Sequence, residues 1–169
     1  MSTAICPGSF DPITLGHLNI IRRTSRIFDR VVIVVMRNVN KTSSYWFNDD
    51  ERVEMIRKAV AKYPNVEVDS GDGLLADYAR KYEGAVIVKG LRAASDFEYE
   101  FQMNLVNKNI NPGLETMFLT ADGKYNFLSS SVVREMAMYG ADLKGLVPDE
   151  LIDQINEKAE QRRNLLWKT

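Results

Sequence analysis

Residues 31–36 read Val-Val-Ile-Val-Val-Met, an unbroken apolar run without the polar alternation of a strand that has one wet face. Such a run is too short for a buried helix, and its β-branched residues suit a strand covered on both sides. Only a sheet flanked by helices offers that position. Weaker runs recur at Thr3–Cys6, ended by Pro7-Gly8, and at Val66–Val68, Ala85–Val88 and Thr116–Leu119. The segments between them have helical period. His17 to Phe28 places Leu18, Ile21 and Ile27/Phe28 on one side. Asn48 to Tyr63 opens with Asn48 and Glu51 at capping-box spacing and carries Val53, Ile56, Ala59, Val60 and Tyr63 as a stripe. Gly73 to Tyr82 follows. Ser95 to Asn109 carries Phe97, Phe101, Leu105 and Val106, with Ser95 as the expected cap. Ser130 to Met138 and Asp149 to Arg163 complete the set. Strands alternating with helices imply right-handed crossovers. The expected class is α/β, a doubly wound five-stranded parallel sheet with helices on both faces plus C-terminal helices.

Composition narrows the chemistry by exclusion. A formal charge of -1 supplies no global basic field, so a DNA- or RNA-binding surface is not expected. The single cysteine, Cys6, allows neither an internal disulfide nor a cysteine-rich zinc site, and reads as a small core residue. No leader-like start and no apolar run near the roughly 20 residues of a membrane span are found. A soluble cytoplasmic protein is the expectation. No repeat or linker divides the chain, so residues 1–169 are expected to form one domain.

In a doubly wound sheet, ligands sit outside the carboxyl ends of the strands. The first such loop is Pro7-Gly8-Ser9-Phe10-Asp11-Pro12-Ile13-Thr14-Leu15-Gly16-His17. It has neither the Gly-Lys-Ser/Thr of a P-loop nor GxGxxG spacing. Instead it puts small residues at a strand end and Gly16-His17 at a helix opening, where backbone amides and the helix dipole favour an anion. His17 is the only histidine. A lone histidine is often an inconsequential cap neighbour; its place at a strand–loop–helix junction favours a phosphate donor.

Thr14-Leu15-Gly16-His17 resembles the [T/H]xGH signature of the nucleotidylyltransferases, and Leu128-Ser129-Ser130-Ser131-Val132-Val133-Arg134 resembles their second signature. With the longer runs PGSFDPITLGH and KGLRAASDFEYE, the chain is similar to the bacterial phosphopantetheine adenylyltransferases from about Ala4 to the last helix. The resemblance implies a Rossmann-like fold and transfer of AMP from ATP to 4′-phosphopantetheine, giving dephospho-CoA and pyrophosphate. It further implies Mg²⁺ with the ATP, homohexamers, and coenzyme A as a feedback ligand.

Carried onto this sequence, the resemblance makes His17, Lys41 and Arg92 the catalytic set. ATP would meet Ser9, Phe10, His17, Gly90, Leu91, Arg92 and Glu100. It would also meet the segment Tyr125, Asn126, Phe127, Leu128, Ser129, Ser130 and Ser131. The acceptor would meet Ser9, Lys41, Leu75 and Lys89. Arg134 is a further candidate for the leaving pyrophosphate, and no residue is named as a metal ligand. Asp96 and Glu98 read as cap and first-turn residues, because a spacing of two does not share a helical face. Two departures stand out: Ser9 replaces a common threonine, and Lys89 a common arginine, which loses the planar fork. The loop Thr42 to Trp46 is longer and more aromatic than in common relatives. Two other readings stay open at this point: a nucleotidylyltransferase acting on another small phosphate such as nicotinamide mononucleotide, and a non-catalytic nucleotide-binding module. Lys41, Lys89 and the GLRAASDFEYE run weigh against the first.

Overall fold

The computed structural model describes residues 1–37 and 44–166. Five strands, β1 (Thr3–Gly8), β2 (Arg30–Met36), β3 (Val66–Gly71), β4 (Val86–Leu91) and β5 (Glu115–Thr120), pair in the order β3-β2-β1-β4-β5, and every pairing is parallel. The helices are α1 (Leu15–Thr24), α2 (Asp49–Val60), α3 (Leu75–Tyr78), α4 (Ala94–Ile110), α5 (Ser130–Met138) and α6 (Ile152–Leu166). Short 3₁₀ turns extend α3 and precede α5 and α6. This is the Rossmann-like doubly wound arrangement the pattern implies. No described helix is long and apolar enough to cross a membrane.

Strand side chains divide by parity, as the pleat requires. Ala4, Cys6, Val31, Ile33 and Val35 enter one core with α1, α2, α5 and α6 residues such as Ile21, Ile56, Val133 and Ile155. Ile5, Val34 and Ile87 enter the other with Ala76, Tyr78 and Leu114. Hence the apolar run at 31–36 does not alternate: both of its faces are dry.

The structure corrects several expected boundaries. β1 does not stop at Pro7-Gly8; Pro7 pairs with Val34 and Gly8 with Val35. Pairing with β4 covers only Ala4 and Ile5, so Pro7 is spared a second ladder. α1 begins earlier than expected, at Leu15, because Thr14 is its N-cap. α4 begins at Ala94 with Ala93 in the cap position, so Ser95 is not the cap. Asn48 caps α2 in a capping box with Glu51, as its spacing predicts.

The largest difference concerns α4. Its expected apolar stripe does not enter this chain's core: Phe97, Phe101, Leu105 and Val106 are exposed, together with Tyr99. Periodicity marks an apolar face without saying what it packs against.

Gly90 shows why β4 needs a glycine. A Cβ there would lie 2.8 Å from Cγ1 of Ile20, which rests directly on the strand. The residue lets α1 approach the sheet, a role distinct from the contact with phosphate that sequence suggests. Gly90→Ala is expected to cost roughly 1–3 kcal/mol, the range for overpacking. Urea unfolding midpoints check it, and an Ile20→Val background should restore part of the loss.

Candidate active site

The strand order reverses direction at β1 and β4, and the loops leaving these two strands part to form a crevice. A cleft of about 810 Å³ lies there, walled by the first loop, the end of β4, the inner side of α4 and the start of α5. Its size suits a nucleotide with a second substrate. Ser9, Phe10, His17, Leu75, Lys89, Gly90, Arg92 and Glu100 line it, as do Tyr125, Leu128, Ser129, Ser130 and Ser131. Residues remote in sequence thus meet in one place. Leu91, Asn126 and Phe127 are not part of this wall, and Phe127 is 62% exposed. Lys41 lies outside the described residues.

His17 sits at the third position of α1 and completes a capping box with Thr14. The Thr14 backbone N–H donates to Nδ1 at 3.0 Å, and the Thr14 hydroxyl accepts the His17 backbone N–H at 3.3 Å. Because Nδ1 accepts, the ring proton resides on Nε2, the nitrogen left for a ligand. Burial, and after it the charge of Arg92, lower the pKa of His17 to about 4. At neutral pH the ring is therefore an uncharged Nε2–H donor.

That shift has a stability consequence with a definite sign. The unfolded chain takes up a proton near pH 6.5 and the native state only near 4. Between those values the unfolded state binds more protons, so stability is full above about 6.5 and falls as pH drops toward 4. Urea midpoints at pH 7 and pH 5 measure the slope, which should flatten in His17→Gln. As the only histidine in the chain, its ring gives a single titrating NMR signal.

Phe10 holds the loop in shape. Its φ of 47° is left-handed, a strained backbone for a non-glycine residue. The conformation turns its ring inward, edge-on to His17 at 5.1 Å and tight against Gly8, where a Cβ would meet it at 2.9 Å. The ring is buried, so Phe10 supports the site and leaves only a small part of itself to a ligand. The Asp11–Pro12 bond is cis.

At the opposite wall, Arg92 is gripped by Asp96, whose carboxylate accepts from Nε at 3.1 Å, from Nη2 at 3.3 Å and from the Arg92 backbone N–H at 3.0 Å. Its Nη1 donates to the Leu128 carbonyl at 3.0 Å. Asp96 is thus the orienting partner of Arg92, beyond the first-turn role read from sequence. Lys89 pairs with Glu100 at 3.0 Å across the gap between β4 and α4. The two residues assigned to different substrates are held together, and each has its charge balanced before a ligand arrives.

The serines at α5 are already engaged. Ser129 caps the helix by accepting the Val132 N–H, Ser130 donates to the Pro12 carbonyl at 2.8 Å, and Ser131 accepts from Arg134. Their hydroxyls shape the turn, and the helix start offers its first amides to an anion. Arg134 lines the cleft beside these serines and donates to the Asp11 carbonyl and carboxylate. Cys6 is buried, with its thiol pushed up to about 12 by desolvation, and is no nucleophile.

Sequence reasoning missed two charged residues that hold the site. Arg52 is completely buried. It donates to the Ser9 carbonyl at 2.6 Å, to the Asn48 carbonyl at 3.4 Å and to the Asp49 carboxylate, and stacks over Tyr45. Its signal was available, since position 52 falls on the same helical stripe as Ile56 and Ala59. Asp11, also buried, was hidden within an Asp-Pro turn.

A helix-start histidine and a helix-start serine cluster facing one crevice, with Arg92 between them, define a nucleotidylyltransferase. The cytidylyltransferase-like family pattern matches residues 5–136. A phosphopantetheine adenylyltransferase of Clostridium botulinum strain Hall is 48% identical over 166 residues, 98% of this chain and 100% of that protein. One from Clostridium tetani is 49% identical over 162 residues, 96% of this chain and 100% of that protein. The chain belongs to the phosphopantetheine adenylyltransferase family. Its fold also matches a crystal structure of a Vibrio parahaemolyticus protein described as a nicotinate-nucleotide adenylyltransferase, with a TM-score of 0.67 at 19% identity, covering 94% of each chain.

Proposed function

We propose that this chain transfers AMP from ATP to 4′-phosphopantetheine, releasing pyrophosphate and forming dephospho-CoA, with residues 1–169 acting as one cytoplasmic catalytic domain. The observation that carries the chemistry is the convergence of His17 and the α5 helix start on the β1–β4 crevice. The attacking oxygen belongs to a phosphate, already anionic at neutral pH, so no general base is required. An uncharged Nε2–H donor fits that need. His17 donates to the α-phosphate as charge builds on it during in-line displacement. Arg92 and the start of α5 hold the β- and γ-phosphates. Ser9 and Lys41 orient the acceptor phosphate, and Lys89, with Glu100 as its partner, adds positive charge beside the meeting anions. Leu75 and the apolar rim of the cleft receive the uncharged arm of the acceptor.

No group of three or more potential metal ligands occurs among the described residues, and the cleft carboxylates Asp96 and Glu100 are each occupied by a cation. This donor set suits Mg²⁺ delivered with ATP and held by phosphate oxygens and water. When bound there, the ion would neutralise part of the charge on the departing pyrophosphate. For assembly, the exposed face of α4 is the surface that copies of this chain would cover in a homohexamer, and coenzyme A would compete within the same cleft as a feedback ligand.

Pyrophosphate release is the test. ATP with 4′-phosphopantetheine should give steady turnover, and ATP with nicotinamide mononucleotide none. Turnover only with the second pair would overturn the acceptor assignment. ATP binding without release from any acceptor would overturn the enzymatic one.

A further inference from the structure

We propose that Asp11 is a positioning residue that sets the distance between the two substrate-binding halves of the cleft; the inference rests on the site assignments above. The residue lies at the cleft wall but is 1% exposed, and its carboxylate is taken up by Trp46, Phe47 and Arg134, so it acts through what it holds. On one side it accepts the backbone N–H of Trp46 at 2.9 Å and of Phe47 at 2.9 Å. These residues continue the stretch from Ser44 and Tyr45, the acceptor loop, which lines the cleft together with Leu75, a residue assigned to the acceptor. On the other side it accepts from Arg134 on α5, at 3.3 Å, and Arg134 donates to the Asp11 carbonyl as well. The first turn of α5 is assigned to the triphosphate. Ser130 reinforces this side through the Pro12 carbonyl, and Arg134 reaches Ser131.

A single buried carboxylate is therefore the node where the acceptor loop, the His17 loop and the triphosphate helix meet. Its strength comes from satisfied charge-assisted hydrogen bonds in a dry setting. The acceptor loop has support from elsewhere too, since Arg162 on α6 donates to the Tyr45 carbonyl and lies over the Trp46 ring. Loss of Asp11 should then displace the loop while leaving the chain folded. In-line transfer is sensitive to such displacement, and a 1 Å error is worth about 10²-fold.

The experiment compares wild type with Asp11→Asn, in which the amide presents an N–H toward donors. Folded protein is verified by circular dichroism, and its concentration is used for all rates. The expected result is a kcat lowered about 10- to 100-fold with the KM for 4′-phosphopantetheine raised by about tenfold. ATP affinity measured without acceptor should stay within about threefold, because Ser129 still caps α5. A kcat and both KM values within about twofold of wild type would overturn the proposal, whatever happens to the melting temperature. If Asp11→Asn does not fold, Arg134→Gln serves instead, cutting only the α5 side of the node. It should lower kcat at least about fivefold, and unchanged kinetics would overturn the proposal equally. Failure of wild type itself to turn over 4′-phosphopantetheine would fall on the functional assignment and not on Asp11.

Discussion

Replacing His17 by alanine should lower kcat by roughly 10²–10³-fold, the effect of deleting one preorganised donor to a developing charge. The structure explains why the loss should be in kcat more than in KM. The ring is fixed through Nδ1, uncharged, and ready to donate from Nε2 before substrate arrives. A donor of this kind contributes most when the α-phosphate carries its greatest charge. Alanine also removes the acceptor for the Thr14 N–H, at a cost of about 1 kcal/mol, too little to unfold the chain. Rates of pyrophosphate release at saturating substrates, with a melting curve beside them, separate the two effects. Wild-type turnover in the variant would remove His17 from the mechanism.

Arg52→Met should have the largest effect on stability, a loss of about 3 kcal/mol, near the lower end for breaking a buried charged network. Asp49 would keep Arg37 as a partner at 2.6 Å, which spares it from being stranded. The Ser9 and Asn48 carbonyls would lose their donors, and Tyr45 would lose the guanidinium beneath its ring. For a domain of this size such a loss corresponds to a melting temperature lower by roughly 6–12 °C. Calorimetry measures that directly. Arg52→Lys should recover less than half, since one ammonium cannot face three acceptors and also stack. A shift of under about 2 °C in the methionine variant would show that the buried guanidinium contributes little beyond its volume.

How much was legible in advance follows the range over which each interaction acts. The strands and most helices were readable because their signals are local: the unbroken run at 31–36, and the Asn48/Glu51 spacing that does cap α2. The site was readable as two helix starts, since Gly16-His17 and Ser129–Ser131 carry their chemistry within a few residues. The misses involve partners far apart in the chain. Asp11 is explained by amides at 46 and 47 and a guanidinium at 134, and Arg52 by a carbonyl at 9. A charged residue within an apolar stripe, or next to proline, gives no sign of such distant partners. The apolar stripe of α4 failed differently: the period correctly marks a helix, but its stripe stays exposed instead of entering the core.

The order β3-β2-β1-β4-β5 has a consequence for the chain as it is being made. Synthesis delivers β1, β2 and β3 first, and these can zip together on one side only. The second edge of β1, at Ala4 and Ile5, has no partner until Val86 and Ile87 leave the ribosome. For that interval the nascent chain carries a bare, apolar strand edge, the kind of surface that recruits other strands. The same late pairing also builds the crevice, so a chain halted after β3 would carry His17 with nothing opposite it. Protection of that edge is expected to matter most before β4 emerges, while catalytic competence waits longer, for Arg92 and the start of α5.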